Sequence, residues 1–174
     1  MLNSSFREAG STYLRLKDIE AETFNVFYYW LNAGGLDWGG LLNWDKVINA
    51  YLFADFHQAP IFRNAILGSL FNGWIIDKTI NLRVTEVLYT NTCEGDSMRK
   101  LIVDIVAATG DFDRQYRYYI TSAHKDFLVD MLVAFKEQNL VPGQGRTTNG
   151  FAWLDEVRNS FCQRYHTHRE RETL

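Results

Sequence analysis

Apolar residues along this chain recur mostly at helical spacing. The first clear pattern runs from Thr12 to Gly35. There Tyr13, Leu14 and Leu16 sit among Arg15 and Lys17 and predict a short strand, and Asp18 supplies a helix cap ahead of Glu20 and Glu22. Phe24, Phe27, Tyr28 and Leu31 then fall at the i, i+3, i+4, i+7 positions of one helix face, which predicts a buried stripe ending at Gly34-Gly35. Asn43 caps a second helix carrying Trp44, Val47, Ile48, Tyr51, Leu52 and Asp55, and Pro60 opens a third with Phe62, Ile66 and Leu70. These two helices are expected to form a hairpin.

Past Gly73 and Trp74 lie a linker-like stretch and a fourth apolar pattern at Val84, Val87 and Leu88, which ends at a turn-rich stretch from Thr90 to Ser97. Asp96 or Ser97 opens a fifth helix with Met98, Leu101, Ile102 and Ile105 inward, closed by Gly110. A sixth bears Phe127, Leu128, Met131, Leu132 and Phe135. After the loop Pro142 to Gly150, a last helix from about Phe151 carries Trp153, Leu154, Val157 and Phe161 and turns polar and basic from Arg164 to Arg171. No internal repeat or low-complexity run interrupts the series.

The 174 residues suit one ordinary domain, which at this length buries roughly 70% of its unfolded surface. A hydrophobic content of 47% argues against disorder. The net charge of −3 offers no general attraction to a phosphate backbone, so nucleic acid is not the expected partner. Two distant cysteines, Cys93 and Cys162, are too few for a disulfide framework and imply free thiols in a cytoplasmic or nuclear protein. No apolar run reaches the ~18 to 20 residues that cross a bilayer, so no membrane association is expected.

Candidate chemistry is sparse. Cys162, His166 and His168 place three borderline-soft ligands within seven positions, with Cys162 and His166 one helical turn apart, but a fourth zinc ligand is not apparent. Cys93 and His124 lack a shared signature, and Glu94 and Asp96 read as turn and helix-start residues. Asp111 and Asp113 lack the other oxygen ligands of a calcium loop. Gly143-Gln144-Gly145-Arg146 follows a helix and has no Lys-Ser/Thr, so it is not a phosphate loop. We expect a non-catalytic chain without a cofactor.

Phe6-Arg7-Glu8, the Tyr13 to Lys17 strand, the Phe24 to Leu31 helix with Trp30, and Leu52-x-x-Asp55 together resemble the second half of a BTB/POZ domain. Val87 to Thr92, Glu94-Gly95-Asp96-Ser97, Met98-Arg99-Lys100-Leu101 through Asp104, and Cys162-x-x-Tyr165-His166-x-His168 resemble the helical extension of fungal BTB proteins. The resemblance implies a mainly α fold with one or few short strands, divided into a partial BTB/POZ-like region at 1–74 and a helical extension packed on it at 75–174. The family's first strands and covering hairpin would lie upstream of Met1, leaving an apolar face bare.

The implied function is protein–protein interaction through Phe6, Glu8, Phe24, Phe27 and Tyr28. Phe6-Arg7-Glu8 resembles the element by which some BTB proteins contact a cullin scaffold, and self-association is the other partner it suggests. The rival expectation is a zinc-binding protein using Cys162, His166 and His168 in a metal-dependent or nucleic-acid-binding role. A third is a gene-model fragment without an independent role.

Overall fold

The computed structural model describes residues 19–40, 42–109, 120–138 and 150–168, the side chains of 150–152 excepted. The first helix, α1 (Ala21–Ala33), ends where Gly34 takes φ 70° and donates its N–H to the Trp30 carbonyl at 2.9 Å. That left-handed turn favours glycine, as the double-glycine stop predicts. In α2 (Trp44–Phe56) the Asn43 side chain accepts from the Lys46 N–H, and α3 (Pro60–Asp77) begins with proline at its first position. Both boundaries follow from local chemistry: one supplies an acceptor for an orphan donor, the other has no donor to lose.

The linker-like stretch expected past Gly73 and Trp74 begins after Asp77, so both residues lie inside α3. The Gly73 Cα packs against Leu42, and an added Cβ would stand 3.0 Å from that side chain. The glycine therefore serves a close approach and not a helix stop. The helix ends at Lys78, in the left-handed region at φ 53°, with its ammonium 4.6 Å from the Trp74 ring. Trp38 Nε1 donates to Ser69 Oγ at 2.8 Å and fastens the glycine-rich connection onto α3.

The remaining helices are α4 (Val84–Asn91), α5 (Ser97–Thr109), α6 (Lys125–Glu137) and α7 (Gly150–Tyr165). The described residues thus form seven helices and no strand, a mainly α architecture. α2 packs on α1, α3 and α4, whereas α5 is enclosed by α4, α6 and α7; α3 meets α7 across the middle. One apolar cluster runs from Trp44 to Tyr165 through both groups. The expected strand at Tyr13–Lys17, Gly110, Asp111, Asp113, and Gly143 to Arg146 lie outside the described residues, as do Asp18, Phe6 and Glu8.

Three tyrosine–aspartate hydrogen bonds cross-link this packing. Tyr51 donates to Asp96 at 2.9 Å, Tyr89 to Asp130 at 2.7 Å and Tyr165 to Asp104 at 2.7 Å. Burial comes first in pushing each phenol up from its ordinary range, followed by the charge of Asp96 on Tyr51, the hydrogen bond to Asp130 on Tyr89 and the charge of Asp104 on Tyr165. Arg99, itself buried, donates from Nε to Thr92 Oγ1 at 2.7 Å and from Nη2 to the Tyr89 carbonyl at 2.8 Å and to the Thr92 carbonyl. Its guanidinium lies 4.2 Å from the Tyr89 ring, so a cation closes the carboxyl end of α4, where the helix dipole favours it.

Asp96 carries two loads, because its Oδ1 also accepts from the Met98 and Arg99 N–H groups at the start of α5. Asp96→Ala removes a cap and leaves the Tyr51 hydroxyl without its acceptor, an expected loss of about 2–3 kcal/mol. Urea unfolding measures it, with Asp96→Asn retaining much of the capping part.

The expected buried stripe of α1 is rotated. Thr23, Val26, Phe27 and Trp30 face inward, whereas Tyr28 and Leu31 are each exposed over 59% of their surface. The reason is the partner surface: Phe62 of α3 meets the rings of Phe27 at 5.0 Å and Trp30 at 4.8 Å, and Phe53 of α2 meets Phe27 at 5.4 Å. A helix with aromatic residues on several sides presents two competing stripes, and the one holding Trp30 buries the larger ring. Val87 on α4 and Leu132 on α6, both placed on apolar patterns by spacing, likewise face outward.

Candidate functional site

The outer side of α1 is an exposed apolar helix surface beside a recess. Between Glu22 and Asp37 the chain has no charged side chain. Tyr28, Tyr29 and Leu31 stand out from it, with Phe24 half-buried at its amino end and its ring 6.4 Å from that of Tyr28. At the corner between α2 and α3, Phe56 is exposed over 83% and Ile61 over 74%. Aromatic enrichment with charge depletion distinguishes interface cores from ordinary surface.

Two recesses flank this corner. One, of about 550 Å³, lies beside Phe53 and Phe56 and reaches Thr23 on α1 and Asn91 at the end of α4. The other, of about 480 Å³, is a groove whose α1 wall is Trp30 and Leu31, whose base is Ile61 and Phe62, and whose far wall is Thr167 and His168. Its long wall exists because α1 is pinned inward by Phe27 and Trp30. Phe27, expected among contact residues, is half-buried: its ring is engaged by Phe53 and Phe62, and it also lines the groove.

The far wall is built by side chains of α3. Asn64 accepts from the Thr167 N–H at 3.0 Å and donates to the Thr167 carbonyl at 2.9 Å, and Arg63 donates from Nη2 to Thr167 Oγ1 at 2.5 Å. The same guanidinium bonds Asp55 through Nη1 at 2.5 Å. Just upstream, Tyr165 is buried and held by Asp104.

Of the three sequence-proposed zinc ligands, the structure brings two into direct contact. Cys162 Sγ and His168 Nε2 lie 3.2 Å apart, both on exposed residues. The His166 ring instead stands edge-on to Phe161, at 5.4 Å between centroids, and 6.3 Å from that of His168. His166 is held below the ordinary imidazole range, first by burial and then by the charge of His168. No group of three or more His, Cys, Asp or Glu among the described residues is arranged to hold a metal ion.

The other candidates take structural places. The His124 ring accepts from the Asp126 N–H at the start of α6 and stacks on Tyr89, while Asp96 caps α5, the helix-start role expected for it. Cys93 is an exposed free thiol. No described helix is long and apolar enough to cross a membrane. Spacing alone missed Leu31 and Ile61 as neighbours on one groove. Compared with protein-family models, curated proteins and solved structures, the chain gives no match.

Proposed function

We propose that this chain is a non-catalytic protein-interaction module, related to the carboxyl half of a fungal BTB/POZ fold with its helical extension, and that it docks a partner protein on the outer side of α1 and the α2–α3 corner. The observation that carries this reading is the set of exposed apolar side chains Tyr28 and Leu31 on α1, a helix without charge between Glu22 and Asp37, and Phe56 and Ile61 at the α2–α3 corner, with Leu31, Phe56 and Ile61 lining the two recesses. Exposed apolar side chains grouped beside recesses in this way mark interaction sites. Phe24 and Tyr28 belong to the contact face and Phe27 holds it in place. The partner classes suggested by the resemblance are a cullin scaffold, through Phe6 and Glu8, and a second copy of the chain.

The test is a double variant, Tyr28→Glu with Ile61→Asp. Both positions are solvent-exposed, so each change is expected to alter stability by less than about 0.5 kcal/mol. Quantitative affinity capture from the source cells, run beside the unaltered chain, is expected to lose a saturable partner while circular dichroism stays native. Equal recovery of every captured protein by the two samples counts against the proposed face.

A further inference from the structure

The helix α6 is apolar on two opposite sides. Phe127, Met131, Ala134 and Phe135 turn into the core, while Val129, Leu132 and Val133 stand out with 56%, 67% and 47% of their surface exposed. Single exposed apolar residues are ordinary, but these three lie at i, i+3 and i+4 and form one patch. Charge is confined to the two ends of the same outward face. Lys125 and Asp126 open the helix, Lys136 and Glu137 close it, and all four are exposed. At about 100° per residue, the two lysines fall within about 20° of each other along one edge and the two acids within about 20° along the other. Val129 and Val133 lie between the edges and Leu132 lies beside the lysines. Adjacent residues do not face each other on a helix, so neither lysine neutralises the acid next to it. The helix dipole does not explain the arrangement either, because it favours Asp126 and Lys136 but disfavours Lys125 at the start and Glu137 at the end.

We propose that the outward face of α6 is a self-association surface, on which a second copy of the chain docks with its own α6 running in the same direction. A two-fold axis parallel to the helices sets the lysine edge of each copy against the acid edge of the other. Lys125 then faces Asp126 of the second copy and Lys136 faces its Glu137, and the reciprocal contacts complete the set around a centre of Val129, Leu132 and Val133 from both chains. An antiparallel pairing, whose axis is perpendicular to the helices, sets lysines against lysines and acids against acids. Charge therefore selects the parallel arrangement, as flanking charges do in coiled coils. A partner of one charge sign satisfies one edge only, whereas a second copy satisfies both. One helix face belongs with the small, transient interfaces that bury less than about 1,200 Å², so the dimer is expected to dissociate in the micromolar range. This surface is separate from the α1 face and does not rest on the reading of that face.

Sedimentation equilibrium of the full chain, from low to high micromolar concentration, is expected to show monomer and dimer in exchange. Leu132→Asp places a charge at the centre of the contact on an exposed position. It is expected to raise the dissociation constant at least about tenfold while circular dichroism stays native. Two charge variants test the orientation. Lys125→Glu with Lys136→Glu makes both edges acidic, and Asp126→Lys with Glu137→Lys makes both basic. Each is expected to be monomeric alone, and an equimolar mixture of the two is expected to recover a dimer holding one copy of each. A chain that stays monomeric throughout the range, charge variants that dimerise alone as strongly as the unaltered chain, or a mixture that stays monomeric overturns the proposal. So does a dimer that survives Leu132→Asp but is lost in Tyr28→Glu with Ile61→Asp, because it belongs to the α1 face. Sedimentation of the purified chain involves no other protein, so it succeeds or fails independently of the capture experiment above.

Discussion

Raising the pH above 10 is expected to unfold the protein in one cooperative step. Tyr51, Tyr89 and Tyr165 are all buried in the native state, and each phenol is held neutral by burial and by an aspartate that accepts its proton in a hydrogen bond. Their folded-state ionisation lies above that of an unfolded tyrosine, near 10. The sign follows directly: below pH 10 folded and unfolded chains bind the same phenolic protons, and above it only the native state retains them. Stability is thus complete below about pH 10 and declines beyond it by about 1.4 kcal/mol per tyrosine per pH unit. Three such groups together remove about 4 kcal/mol by pH 11, a large share of the roughly 5–15 kcal/mol that holds an ordinary domain together. In one alkaline titration the share of phenolate absorbance that belongs to the three buried tyrosines should appear only together with the loss of far-ultraviolet dichroism, after the exposed tyrosines such as Tyr28 and Tyr29 have contributed theirs. Gradual ionisation of all tyrosines with helix content intact through pH 12 would refute the buried pairs.

The second large effect is expected from Phe62→Ala. Phe62 has no exposed surface and supports both rings that pin α1, those of Phe27 and Trp30. Truncating a fully buried phenylalanine costs about 3–5 kcal/mol through lost transfer energy and the remaining cavity. Here the cavity opens directly beneath the groove, so the damage extends beyond global stability. With its seat removed, α1 loses the support that positions Tyr28 and Leu31, and partner capture should disappear even under conditions where the rest of the chain stays folded. Urea unfolding gives the first quantity, and capture well below the unfolding midpoint gives the second. Retained capture at full strength would show that the contact face does not depend on the inward side of α1. Phe62→Leu, which refills much of the space, should recover part of both.

Much of the helical order was legible because its boundaries are set by single residues with local jobs. Asn43 offers an acceptor, Pro60 has no N–H to satisfy and Gly34 tolerates the left-handed turn, and each acts without help from distant parts of the chain. The role of Gly73 could not be read locally for the opposite reason: it depends on Leu42, 31 positions earlier, which no local pattern reports. The rotation of α1 has the same origin. Spacing identifies that an apolar stripe exists, but Phe53 and Phe62 choose which of two stripes is used. The groove was hidden because Leu31, Ile61 and Thr167 meet only through the seating of α1 on Phe53 and Phe62 together with the α3–α7 packing.

The enclosure of α5 has a consequence for how the protein is made. Nearly its whole circumference, including Met98, Leu101, Val103, Ile105, Val106 and Ala108, is shielded, and α6 and α7 supply much of that shielding. Both covering helices follow it along the chain. A ribosome that has just released α5 therefore exposes a greasy cylinder with no later segment yet available to wrap it, and synthesis at about 5–20 residues per second leaves it bare for seconds. Chaperone capture during that interval, and loss of yield when translation stalls before residue 150, are the cellular costs of placing the most enclosed helix ahead of its covers.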